Sequence, residues 1–152
     1  MTPNAVCSEP VVLYAYGKPK AQPRPKVNTM TRQARTPDES GEVRSWQARV
    51  HAAVLGASPA CRQRLRDWGQ ADLALEISIQ IRLTRPPSSR RPHASVKPDW
   101  DNLAKLIQDQ LEKARALKND SRIVRASVLK RWTREGEQSG ATIVIAPYRE
   151  DI

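Results

Sequence analysis

Two aspartates two residues apart, Asp99 and Asp101, follow Pro98 and precede an apolar-periodic run. Lys105 stands four residues beyond Asp101, and a third acid, Asp120, comes later. Carboxylate oxygens are what a hard divalent cation such as Mg2+ takes as ligands, usually one or two carboxylates with waters completing the shell. Three converging carboxylates repel one another unless a cation offsets them, so convergence would itself imply a metal. Such an ion acidifies water and polarises a phosphate, and an adjacent lysine can neutralise phosphate charge. The same residues have a plainer use. Asp101 can cap a helix, Asp99 can favour its dipole, and Lys105 can pair with Asp101 or Asp109 one turn away. Spacing alone leaves both readings open. His51 and His93 are isolated, and Cys7 and Cys61 lack partners at zinc spacing, so neither a nucleophilic triad nor a zinc site competes.

The elements around the acids decide where they can go. Leu103, Leu106, Ile107, Leu111 and Ala114 recur as one helix face, which predicts a helix over 101–117 with Asp101 as its cap. Asp120 follows the helix end and would lie roughly 25 Å from Asp101 at 1.5 Å per residue. A shorter or bent helix would close that gap, and so would an Asp120 supplied by a second subunit. Upstream, Arg85 to Lys97 is rich in proline and serine, with Arg90, Arg91 and Lys97 and no acid. A second basic segment holds Lys18, Lys20, Arg24 and Lys26 among prolines 19, 23 and 25, which forbid a helix and keep the backbone extended. Both loops, about 18–37 and 85–98, read either as solvated surface or as phosphate contacts.

The remaining pattern supplies a scaffold. Val11 to Tyr16 reads as a strand, and 42–55 as a helix ended by Gly56. Ser58-Pro59 opens a second helix with Cys61, Leu65 and Trp68 inward, closed by Gly69. Leu73 to Leu83 alternates strictly and is the clearest strand. Ile123 to Trp132 alternates imperfectly, which suggests a bulge. Ala141 to Ala146 should pair with it as a hairpin, before a loose tail over 147–152. The expected fold is α/β in the α+β sense: one mixed sheet of about four strands, helices mainly on one face, in the order β-α-α-β-α-β-β. At 152 residues the chain should be a single domain. Twenty-six Lys and Arg against 16 Asp and Glu give a formal charge of +10, which favours a polyanionic partner. No apolar run approaches a membrane span and no signal-peptide pattern opens the chain, so a cytoplasmic, nucleic-acid-facing protein is expected.

One resemblance narrows this. Asp99-Trp100-Asp101-Asn102-Leu103-Ala104-Lys105, then Gln108-Asp109-Gln110-Leu111, then Asn119-Asp120-Ser121-Arg122-Ile123, together resemble the RusA family of Holliday junction resolvases. The match covers about a sixth of the chain. By position it implies Asp99, Asp101 and Asp120 as metal-binding catalytic acids and Lys105 as the essential lysine; Asp109 matches the family's helix aspartate and, one turn beyond Lys105, is read as a group orienting it rather than a ligand. The chain departs from relatives with two acids in the later motif, since it reads Asn119-Asp120. The resemblance implies a Mg2+-dependent (or Mn2+-dependent) endodeoxyribonuclease that cuts four-way DNA junctions symmetrically in recombination and repair, as a homodimer. The rival readings are a related nuclease for other branched DNA and a non-catalytic basic DNA- or RNA-binding protein.

Overall fold

The computed structural model describes residues 6–23, 26–27, 30–31, 34–35 and 40–150. In chain order these form β1 (Val11–Tyr16), β2 (Lys26–Val27), β3 (Ala34–Arg35), α1 (Glu42–Leu55), α2 (Pro59–Gln70), β4 (Leu75–Leu83), α3 (Trp100–Lys113), a 3-10 turn (Asp120–Arg122), β5 (Ile123–Trp132) and β6 (Gly140–Pro147). The main sheet is mixed, with strand order β1-β6-β4-β5. The expected order of major elements and the single mixed sheet are both present. The short antiparallel pair β2–β3, within the first basic segment, was not foreseen.

Alternation fixes which face is core. Val11, Leu13 and Ala15 of β1, Ile77, Ile79 and Ile81 of β4, and Ala141, Ile143 and Ile145 of β6 are buried on one side. Against them pack Trp46 and Val50 of α1, Trp68 of α2, and Leu103, Leu106, Ile107 and Leu111 of α3. Among the described residues the opposite face carries no helix and exposes Val12, Tyr14 and Tyr16, with the rings of Tyr14 and Tyr16 stacked at 6.5 Å. A strand that is buried on one side only needs this period of two.

Three expectations are corrected. β6 does not form a hairpin with β5; it lies between β1 and β4, antiparallel to both, while β5 runs parallel to β4. Parallel neighbours need a crossover, and α3 supplies it, leaving β6 to return on the other side of β4. Gly140, at φ +150, is required there, because a Cβ would lie 2.1 Å from the Ala15 carbonyl oxygen across the β1–β6 pair. The second helix runs through Gly69 to Gln70 and is turned by Asp72 at φ 59. α3 begins one residue earlier and ends four earlier than expected. Its cap residue is Asp99, with extended backbone, so Asp101 falls in the first turn. Its end is set by Arg115 in the left-handed region (φ 64), which lets the Ala116 amide reach back to the Leu111 carbonyl while Ala116 and Leu117 turn into the core.

The expected irregularity of β5 is real: its register against β4 shifts between Ile123 and Arg125. The β5–β6 connection is pinned by a two-pronged pair, Arg131 Nη1 and Nη2 donating to Glu137 Oε1 and Oε2 at 2.6 and 2.8 Å. The Arg131 guanidinium, helped by the Arg134 amide, holds the Glu137 carboxyl down at about 2, against an ordinary 4.5. A depressed carboxylate adds stability that is complete above the ordinary value and lost as pH falls through the folded one. Glu137→Gln is therefore expected to lower the melting temperature at neutral pH, with the gap to wild type closing between pH 4.5 and 2. Circular-dichroism melts across that window check it; a gap that persists at pH 2 contradicts the pairing.

Candidate active site at the start of α3

α3 is an amphipathic platform. Its Leu103, Leu106, Ile107 and Leu111 stripe is buried, which turns Asp101 and Lys105 to solvent. The Asp99 carbonyl accepts the first helical bond from the Leu103 amide at 3.1 Å, yet the Asp99 side chain makes no capping bond. Asp101 Oδ1 accepts from the Asn102 amide at 3.0 Å. Both carboxylates are exposed, with Trp100, 59 % exposed, between them. Capping thus leaves most of their oxygens open to water. Two such hard-oxygen groups two residues apart are a donor set that fits a Mg2+-type ion with several waters. Lys105 Nζ lies 3.7 Å from Asp109 Oδ1, an ion pair one helical turn apart.

Asp120 is elsewhere. It opens the 3-10 turn beyond the far end of α3, where its amide donates to Glu112 Oε1. Glu112 is eleven residues along from Asp101, roughly 16 Å at the helical rise. Among the described residues no three His, Cys, Asp or Glu side chains group closely enough to hold a metal. Among the described residues Asp99, Asp101 and Asp120 therefore do not come together, since Asp120 sits beside Glu112, about three turns along α3 from Asp101. Asn119 accepts hydrogen bonds from the amide and hydroxyl of Ser121 and is occupied by that local turn.

The basic residues divide. Lys18, Lys20 and Lys97 line one groove of about 490 Å³ together with Pro98, Val96 and Trp132, immediately before Asp99. The first basic segment is tied to the acids by its backbone: the Gln22 amide donates to the Asn102 carbonyl at 3.1 Å. Arg90 is exposed. Arg91 is spent inside its loop, where its guanidinium donates to the Ser95 carbonyl and hydroxyl while its own carbonyl accepts from Arg85. Arg24 and the side chain of Lys26 lie outside the described residues.

Two residues that sequence reasoning passed over complete the arrangement. Lys130 reaches from β5 to donate to the Val96 carbonyl and, at 2.9 Å, to the Pro98 carbonyl, fixing the chain just ahead of Asp99. The signal was its place in the inward register of β5, two residues beyond the half-buried Val128, where a lysine needs acceptors. Glu42 holds both Lys20 (2.7 Å) and Lys18 (3.3 Å), and those lysines keep its carboxyl below the usual range. It is an acid occupying two of the groove's cations, and nothing in its spacing announced that.

Compared with known families, residues 16–145 match the model described as endodeoxyribonuclease RusA. No curated protein matches the chain.

Proposed function

The chain belongs to the RusA endodeoxyribonuclease family, and from that premise we propose that it resolves four-way DNA junctions by metal-dependent, symmetric phosphodiester hydrolysis in recombination and repair. The observation that supports this reading is that Asp99, exposed at the start of α3, directly follows Lys97 and Pro98, which line a groove together with Lys18 and Lys20, and that Asp101 is exposed two residues on. Asp99 and Asp101, joined by Asp120 if a second copy brings it to them, would hold a divalent ion such as Mg2+ or Mn2+, which would supply acidified water and polarisation of the scissile phosphate.

The chain's own residues do the rest. Lys18, Lys20, Lys97 and Arg90 receive backbone phosphates, with Arg24 and Lys26 from the same basic segment, and they set register without reading sequence. Arg91 shapes the loop that presents Lys97. Lys130 keeps Pro98 and hence Asp99 in place, which matters because small displacements of a catalytic group cost large factors in rate. Lys105, steadied by Asp109, offsets charge on the phosphate or the leaving oxygen. Two symmetric cuts need two sites related by a two-fold axis, so a homodimer is part of the reading.

The test compares a synthetic four-way junction with linear duplex of the same sequence, in Mg2+ and in EDTA. Paired incisions in opposing strands of the junction, in Mg2+ alone, are expected. Cutting that survives the chelator, or equal cutting of linear duplex, overturns the proposal. Binding without any cutting returns the chain to a basic nucleic-acid binder.

Glu42 provides a separate expectation. Phosphates must compete with its carboxylate for Lys18 and Lys20. Glu42→Gln should tighten junction binding by about two- to fivefold at moderate salt and steepen the log-affinity against log-salt slope by up to roughly two, since each of the two freed lysines contributes about 0.9 per phosphate contact. Anisotropy titrations at several salt concentrations read both.

A further inference from the structure

The face of the main sheet turned away from the helices carries a pocket that the proposed nuclease centre does not use. Tyr14 and Tyr16 of β1 are 55 % and 49 % exposed there, with rings 6° from parallel and centroids 6.5 Å apart. That separation is the two-residue repeat of a strand, about 6.6 Å, so the backbone sets it and the rings are not drawn together. Aromatic faces in contact stand about 3.5–4 Å apart; this pair is spaced to take a further flat ring. Across the β1–β6 register Tyr16 faces Gly140, which has no side chain, and Tyr14 faces Thr142. On the next strand, β4, Arg82 stands beside Gly140 and Gln80 beside Thr142. With Gln138 these side chains line a cavity of about 440 Å³.

The lining suits a nucleobase with its phosphate. Flat apolar walls meet the faces of a base, while the Gln80 and Gln138 amides and the Thr142 hydroxyl offer donors and acceptors to its edge. Arg82, only 5 % exposed, is fixed in the floor: Nη1 donates to Thr142 Oγ1 at 2.7 Å and Nε to the Gln138 carbonyl at 3.3 Å. Glu137 also lines the cavity, but Arg131 holds both of its oxygens, so the Arg82 charge favours an anion. Lys18, two residues after Tyr16, lines the lysine groove that leads to Pro98 and Asp99. We propose that Tyr14 and Tyr16 are a stacking platform for an unpaired base of a DNA strand whose phosphates follow that groove. The inference rests on the reading of the groove as a phosphate path. Stacking on tyrosine accepts any base but needs one free of its own duplex, so the platform favours DNA opened at a branch over continuous duplex.

Fluorescence titrations in EDTA test this, using a thymidine oligonucleotide that carries one 2-aminopurine, single-stranded and then paired in a duplex. Wild type should quench the 2-aminopurine of the single strand, as stacking does and phosphate contact alone does not. Tyr14→Val combined with Tyr16→Val keeps residues that suit a strand and removes both rings. It should abolish the quench and weaken single-strand binding at least about fivefold, the low end for one stacked base. The slope of log affinity against log salt should stay as it was, because the phosphate contacts remain. Tyr14→Phe combined with Tyr16→Phe keeps the rings and should match wild type, and duplex affinity should be equal in all three. No quench with wild type, or a valine variant that quenches and binds as wild type does, overturns the proposal. So does a loss that phenylalanine fails to restore, or one shared by the duplex. A change in sedimentation on valine replacement also overturns it, by showing that a second copy covers this face. Wild type that quenches as expected yet never cuts junctions ends the nuclease reading and leaves the platform standing.

Discussion

Asp101→Asn is expected to slow junction cleavage by at least about 100-fold, the scale on which single electrostatic groups at reacting centres act, while leaving junction affinity within about threefold. Asparagine keeps the size of the side chain and its acceptor for the Asn102 amide, so the first turn of α3 is preserved. What goes is a full negative charge and one hard oxygen ligand. Lys18, Lys20 and Lys97, proposed above to receive phosphates, line the neighbouring groove and are untouched, and losing an anion near phosphate does not weaken the attraction. Single-turnover cleavage in Mg2+, set against gel-shift binding in EDTA, separates the two effects. Near-normal cleavage would mean that Asp101 only supports the start of the helix.

Ile107→Ala is expected to cost about 3 kcal/mol of stability, from lost transfer energy and from the cavity left behind. Ile107 is fully buried beneath α3, in the layer that also holds Leu103 and Leu111 against the sheet. For a chain of this length that loss should lower the melting temperature by roughly 6–12 °C, out of a total stability of about 5–15 kcal/mol. Thermal melts measure it directly. Below the lowered transition the acids should still be in place, so cleavage per folded molecule should persist at low temperature. Loss of activity with an unchanged melting curve would mean that Ile107 serves the site in some way other than by seating the helix.

Much of the fold was legible because the relevant signals are local. Strict alternation in β4 marks a half-buried strand, and the observed strand differs from the expected one only at Leu73 and Ala74. Ser58 before Pro59 marks a helix start, and its hydroxyl accepts from the Cys61 amide as that spacing requires. Boundaries failed where a non-local force overrode the usual signal. α3 stops at Lys113 because Ala116 and Leu117 are drawn into the core, and Arg115 takes a left-handed conformation that glycine would have advertised. The expected hairpin failed for a similar reason: adjacency in sequence favours β5 with β6, but β5 pairs parallel to β4 across the α3 crossover and β6 pairs with the other edge of β4.

For the site, the sequence determined the residue types available: acids spaced to begin a helix, a lysine one turn on, Asp109 a turn beyond that, and two basic segments ahead of them in the chain. Those are properties of residue type and of the helical repeat, and they survive whatever the chain does elsewhere. Tertiary structure alone decided who meets whom. It set Lys18, Lys20 and Lys97 around one groove, gave two of them to Glu42, put Lys130 behind Asp99, and sent Asp120 to the other end of α3. Each of these depends on contacts between residues distant in sequence, fixed by how the sheet orders its strands, and no periodicity along the chain encodes that order.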